Sequence, residues 1–114
     1  MANSFKSETD KEIGTSTATV FTCASSTETT IIGLSVANRV SSQILIDVEL
    51  DASSRTSGAE DKVFLVKDAP IPVGGSLVVV GGDQKLVMEP GDTIKVTSDT
   101  ATSADVVVSH LDIT

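Results

Sequence analysis

Apolar and polar residues alternate with a period of two through much of the chain. The clearest run is Ser41–Leu50, where Ile44, Ile46, Val48 and Leu50 point one way and Gln43, Leu45, Asp47 and Glu49 the other. That period predicts a strand with one face in a core and the other in water. Thr17–Cys23 alternates more weakly. Thr29–Asn38 places Ile32, Leu34 and Val36 on one face and Ile31, Gly33, Ser35 and Ala37 on the other. Lys62–Lys67 reads as a short strand paired with 41–50 in a hairpin, the polar stretch Asp51–Glu60 forming the loop and Gly58 its tip. Pro70 and Pro72 then break the ladder, because proline has no backbone N–H to donate, so APIPV is expected to be an edge segment or a crossing between sheets. Gly74–Gly75 opens SLVVV, and Gly81–Gly82 leads into KLVM, which together predict a second hairpin. Glu89-Pro90-Gly91-Asp92 has the residues of a tight turn. Thr93–Thr97 and Asp105–Ile113 are the last strands. On the final one, Val107, Ser109, Leu111 and Ile113 share one face, and Val106, Val108, His110 and Asp112 the other.

About eight short strands, with turn signals roughly every 8–12 residues, predict an all-β domain: a two-sheet antiparallel sandwich, Ig-like or jelly-roll-like. Residues 1–14 stand outside this pattern. Phe5 and Ile13 are their only large apolar residues after Met1, with charges between them. They are expected to form a flexible N-terminal arm, and 15–114 the sandwich domain. The polar stretch MANSFKSETDKE is unlike a secretion signal, and no apolar run approaches a membrane-spanning length, so no membrane contact is expected.

Composition supports the β assignment and narrows the chemistry. A chain of 114 residues suits one domain. It has 15 Val, 8 Ile and 14 Thr, about a third of the whole, and β-branched side chains favour a pleated surface over a helix. There is no Trp or Tyr, so aliphatic residues must fill the core. A single Cys excludes a disulfide framework, and one Cys with one His is too few for a zinc ribbon. Sixteen acidic residues against eight basic ones give a net charge of −8, which argues against a nucleic-acid partner.

Candidate chemistry is sparse. His110 and Asp112 lie two apart on one strand and point the same way, as a base and its orienting carboxylate would. No nucleophile motif such as G-x-S-x-G accompanies them, and a solvated or interface histidine is the expected reading. Cys23 has no second thiol and no basic neighbour, as expected of an inert, partly buried thiol. Asp47 and Glu49 share a strand face and read as a solvated acidic surface, because a sugar-cleaving carboxylate pair needs aromatic platforms that this chain lacks. Asp99 and Asp105 flank a Ser/Thr-rich loop at a spacing that matches no metal loop. The paired glycines precede strands, not helices, so they are turn residues and not a phosphate cradle. No catalytic, metal or cofactor site is expected.

Several strands are apolar on both faces, notably Ile31–Val36, Leu77–Val80 and Val106–Val108. One sandwich interior cannot hide both, and exposed apolar patches mark contact surfaces. The candidate interface residues are Phe5, Ile31, Val78, Val80, Val106, Val108 and His110, and the expected outcome is a homo-oligomer.

TTIIGLSVAN, then VKDAPIPVGGSLVVVGGDQKLVMEPGDTIKV, then TSADVVVSHLDIT resemble small virion proteins of tailed bacteriophages, notably those infecting marine bacteria. The similarity runs from Thr15 to Thr114 and leaves out the N-terminal segment. It implies a non-enzymatic structural protein of the virion, assembled in the host cytoplasm and built on a β-sandwich. Its partner would be the major capsid protein or another virion protein. A decoration or cement protein on the capsid is the leading expectation, and a tail- or fibre-associated adhesion protein the alternative.

Overall fold

The computed structural model describes residues 3–55 and 62–114. Among the described residues there are nine strands: β1 (Asn3–Ile13), β2 (Ala18–Thr22), β3 (Glu28–Asn38), β4 (Ile44–Asp51), β5 (Lys62–Ile71), β6 (Ser76–Val80), β7 (Leu86–Met88), β8 (Thr93–Ser98) and β9 (Ala104–Ile113). They make two antiparallel sheets. One runs β1-β9-β3-β6, with β7 also on β3; the other runs β2-β8-β4-β5. The pairs nest: β1 with β9, β2 with β8, β3 with β6 and β7, β4 with β5. Such nesting is one long hairpin rolled up so that successive pairs fall alternately into the two sheets. Of the two architectures expected, this is the jelly roll.

The β4 alternation is realised. Ile44, Ile46, Val48 and Leu50 face the interior with Ile71 of β5, Ile94 and Val96 of β8 and Phe21 of β2. Ile31, Leu34, Val36, Val80, Met88, Val106 and Val108 meet them from the other sheet. Fully burying each such side chain contributes roughly 1.5–3 kcal/mol, and no large aromatic core is needed.

Four details differ from the sequence reading. Residues 3–13 are not a free arm but the edge strand β1, in register with β9 from Asn3↔Ile113 to Ile13↔Ala104. Backbone pairing, not apolar burial, holds this strand, since Ile13 is its only buried residue. In β3 the register shifts between Ile31 and Gly33. This bulge reverses parity, so Ile31 joins Leu34 and Val36 in the core while Ile32 does not. β5 does not stop at Lys67. It bulges at Lys67–Asp68 and resumes through Pro70, paired with Leu45; an edge strand tolerates proline because its outer N–H needs no partner. Finally, β6 and β7 are not paired with each other. Both lie along β3, on Leu34–Ala37 and Thr29–Ile31 respectively, so they are two halves of one interrupted edge. The hairpin of β4 with β5 is present, while Gly58 and the remainder of its loop tip lie outside the described residues.

One polar cluster closes an end of the roll. Asp92 is fully buried, and Arg55 Nε donates to its Oδ1 and Oδ2 at 3.2 and 3.1 Å. Glu89 N–H donates to Asp92 Oδ2 at 3.0 Å, and Asp92 N–H to Glu89 carbonyl at 3.0 Å. The latter bond closes a turn with Pro90 second and Gly91 third, where φ is +90°. That is type II geometry, which requires the freedom of glycine at its third position. A Cβ added at Gly91 would also run into the Ser54 side chain, whereas one added at Gly74, φ +74°, would meet nothing within 4 Å. Gly74→Ala should therefore cost about 1 kcal/mol, from backbone strain alone, and Gly91→Ala clearly more, read as shifts in urea midpoint.

Candidate functional site

The strand registers define the outer faces of both sheets. On the five-stranded sheet, one transverse row is Phe5, Leu111, Thr30 and Val87; another is Thr9, Val107, Ser35 and Val78. Between them lies Ser7, Ser109 and Gly33. No ionisable side chain occurs in these three rows. Of the seven large hydrophobic residues exposed among the described residues, four are here: Phe5 at 76 %, Val78 at 64 %, Val87 at 63 % and Val107 at 44 %.

The outer face of the four-stranded sheet has the opposite character. Its rows carry Asp47 beside Thr97, and Phe64, Glu49, Lys95 and Thr19. Asp47 accepts from Asp68 N–H at 2.8 Å, and the Lys67 ammonium lies 3.5 Å from Asp47 Oδ2 and 5.2 Å from the centre of the Phe64 ring. Ser53 Oγ and N–H donate to Asp51 Oδ1 at 2.6 and 3.0 Å, and Lys95 Nζ to Oδ2 at 3.0 Å. These donors, Ser53 foremost, hold the Asp51 carboxyl well below its ordinary 3.8.

Two of the seven expected interface residues, Phe5 and Val78, lie on the uncharged outer face. Ile31, Val80, Val106, Val108 and His110 do not; each is at most 1 % exposed, packed between the sheets. The bulge in β3 turned Ile31 inward. On β9 the sequence offers apolar residues to both sides, and pairing sends Val106, Val108 and His110 in and Val107 out. Val107 and Val87 were therefore missed. Their signal was present as strands apolar on both sides, but choosing the outer set needs the register.

His110 is neither solvated nor at a surface. Its ring sits 4.4 Å from the Phe21 ring, with Nδ1 2.8 Å from Asp112 Oδ1 and Nε2 3.0 Å from Glu8 Oε2. Thr29 Oγ1 donates to the same Asp112 oxygen at 2.9 Å, and Cys23 Sγ lies 3.3 Å from Thr29 Oγ1. His110 and Asp112 do point the same way and are within hydrogen-bond distance, and Glu8 of β1 meets the other ring nitrogen from 102 positions away. The arrangement clamps β1 to β9. Cys23 is buried, and burial foremost pushes its thiol up, away from the reactive thiolate. Among the described residues two open depressions have volumes of about 330 and 340 Å³: one between β1 and β2, bordered by Glu8 and Thr19–Thr22, the other around Asp10–Ser16. Neither exposes His110 or Cys23. Among the described residues no group of three or more His, Cys, Asp or Glu is placed to hold a metal ion.

Comparison with known proteins finds no matching family model, no matching curated protein and no matching solved structure.

Two outcomes test this division of faces. In dilute solution Val107→Lys should shift the unfolding free energy by about 0.5 kcal/mol or less, while Val108→Lys, one residue on, should prevent folding because it buries an unpaired ammonium; far-ultraviolet circular dichroism with urea titration reads both. Asp51 binds its proton more weakly folded than unfolded, so it adds stability above about pH 4 that is lost progressively as pH falls below that. The gap in urea midpoint between the native chain and Asp51→Asn should accordingly narrow from about pH 7 to about pH 2.5.

Proposed function

We propose that this chain is a non-enzymatic structural protein of a tailed-phage particle, a decoration protein on the outside of the head that stabilises the shell. The observation that carries the reading is the uncharged outer face of the five-stranded sheet on an otherwise acidic molecule, a surface suited to protein contact. The resemblance of Thr15–Thr114 to small phage virion proteins supplies the particle. Net negative charge suits the outside of a container filled with DNA, where it avoids competition from the packaged polyanion. A shell under internal pressure gains from many weak clamps, since contacts repeated across a lattice add as avidity.

The test is direct. Antibody-gold labelling of purified particles should decorate heads, and heads stripped of the protein should rupture at lower temperature than intact ones, with recovery when it is added back. Gold confined to tails would move the protein to the tail or its fibres. Unchanged rupture temperature after stripping would remove the stabilising role.

A further inference from the structure

We infer that β1 is fastened by a proton: the cluster of Glu8, His110 and Asp112 closes with one proton more than a neutral imidazole and two carboxylates bring to it, so the strand is held in mild acid and loosens as pH rises. The inference concerns how β1 is attached and does not depend on what the outer face of its sheet meets.

The count of hydrogens carries it. Each ring nitrogen of His110 faces a carboxylate oxygen, Nδ1 at 2.8 Å from Asp112 Oδ1 and Nε2 at 3.0 Å from Glu8 Oε2. A contact of that length needs a hydrogen between its atoms, because a bare ring nitrogen and a carboxylate oxygen are both acceptors. A neutral imidazole has one N–H and can serve one side only. The second hydrogen therefore comes from water, and it belongs to the three groups together and not to one of them. The His110 side chain is 1 % exposed, so solvent does not stand in for a missing partner.

The surroundings are mostly acidic or neutral. Asp112 faces the ring from β9 and Glu8 from β1, with Asp10 further along the same side of β1. Lys6, the register partner of His110, also lies on this side of β1; it is exposed, so water screens its charge. From β3 come Thr29 and Ile31, and from β2 Phe21, none of them ionisable. The Cys23 thiol beyond β2 lies against Thr29, and burial keeps it protonated.

The two contacts are not equally placed to survive loss of the extra hydrogen. Asp112 sits two residues from His110 on the same strand, its side chain is 16 % exposed, and Thr29 Oγ1 donates to it at 2.9 Å. The Glu8 side chain is 46 % exposed and borders the open depression between β1 and β2. Glu8 is the side that turns to water. β1 then keeps its backbone ladder on β9 but has no buried side chain short of Ile13. That end stays fixed, because the Ile13 and Gly14 carbonyls accept from Ser103 N–H and Ser98 N–H, both at 2.9 Å. Opening accordingly runs from Asn3 to the irregularity between Asp10 and Ile13, where the register shifts and Glu12 has φ +58°. It carries Phe5 out of its row with Leu111, so the same proton sets how wide the uncharged face is.

Hydrogen exchange of the full chain reads this device, followed amide by amide by NMR from about pH 6 to about pH 8.5 and divided by the intrinsic rate at each pH. Protection of the β1 amides should fall about tenfold to a hundredfold across that range, the worth of one hydrogen bond to a charged group, while protection of the β4 amides stays level. Glu8→Gln supplies an amide that can donate or accept, so it fits the neutral ring as well as the charged one, and its β1 protection should be the same at both ends of the range. Glu8→Ala removes the partner and should show the low protection throughout. A level profile for β1 in the native chain overturns the inference. So does a fall that Glu8→Gln retains, or one that β4 shares in equal measure.

Discussion

Two sheets enclose a single interior, and a strand can send only every second side chain into it. This constraint organises the molecule. A chain so rich in Val and Ile has more apolar strand surface than one interior takes up, and its two sheets resolve the excess differently. The four-stranded sheet gives its outer positions to Asp47, Glu49, Asp51 and Lys95, which face water or one another. The five-stranded sheet leaves Phe5, Val78, Val87 and Val107 outside, in rows shared with Leu111, Thr30, Thr9 and Ser35 and no ionisable side chain. The asymmetry is a property of the two sheets and not of the composition as a whole, and it gives the molecule an uncharged side and a charged side.

An aliphatic interior also makes any buried polar group costly, and this chain buries several. Each is answered. Asp92 meets Arg55 and the amide of Glu89; His110 meets Asp112 and Glu8; Ser98 Oγ and Ser103 Oγ lie 2.5 Å apart, with Ser103 Oγ donating to the Thr100 carbonyl at 2.7 Å. Among the described residues no buried side-chain nitrogen or oxygen lacks a partner. The Asp92 and Ser98–Ser103 groups sit at strand ends and connections, while Glu8 and His110 lie within the β1–β9 ladder. Breaking one side of such a pair strands the other in low dielectric, at a cost of about 3–5 kcal/mol for a charge. The histidine that looked like a candidate for chemistry is better understood as the buckle of an edge strand.

Much of the fold was legible because it depends on local signals. The β4 alternation, the pairing of β4 with β5, the turn at Pro90–Gly91 and the two-sheet class all follow from period, proline and glycine. The errors share one physical origin: they concern which partner a segment finds. Nothing local tells β1 that its backbone completes a ladder on β9, because its side chains contribute almost nothing to the core. Nothing local tells β6 and β7 to share β3 when the glycines between them would suit a hairpin equally well. Where both parities of a strand are apolar, as at Val106–Val108 or Ile31–Ile32, a bulge or a distant register chooses the side, and a one-residue change exchanges core for surface. The exposed apolar face was therefore legible as an excess, and only partly as a set of residues. Glu8, far in sequence from His110, had no signal short of the register itself.

The clamp and the face are connected through β1. Glu8 reaches inward to His110 from the same strand that holds Phe5 outward, since adjacent residues of a strand project to opposite sides. Ordering β1 on β9 thus does two things at once: it satisfies a buried ring and completes the apolar row from Phe5 through Leu111 and Thr30 to Val87. An 11-residue strand with one buried side chain would be a weak addition to a sheet judged by burial alone. Its ladder of backbone hydrogen bonds and the carboxylate–imidazole contact explain how it stays in place, and the outer face explains why a strand so poor in core residues belongs to the fold at all.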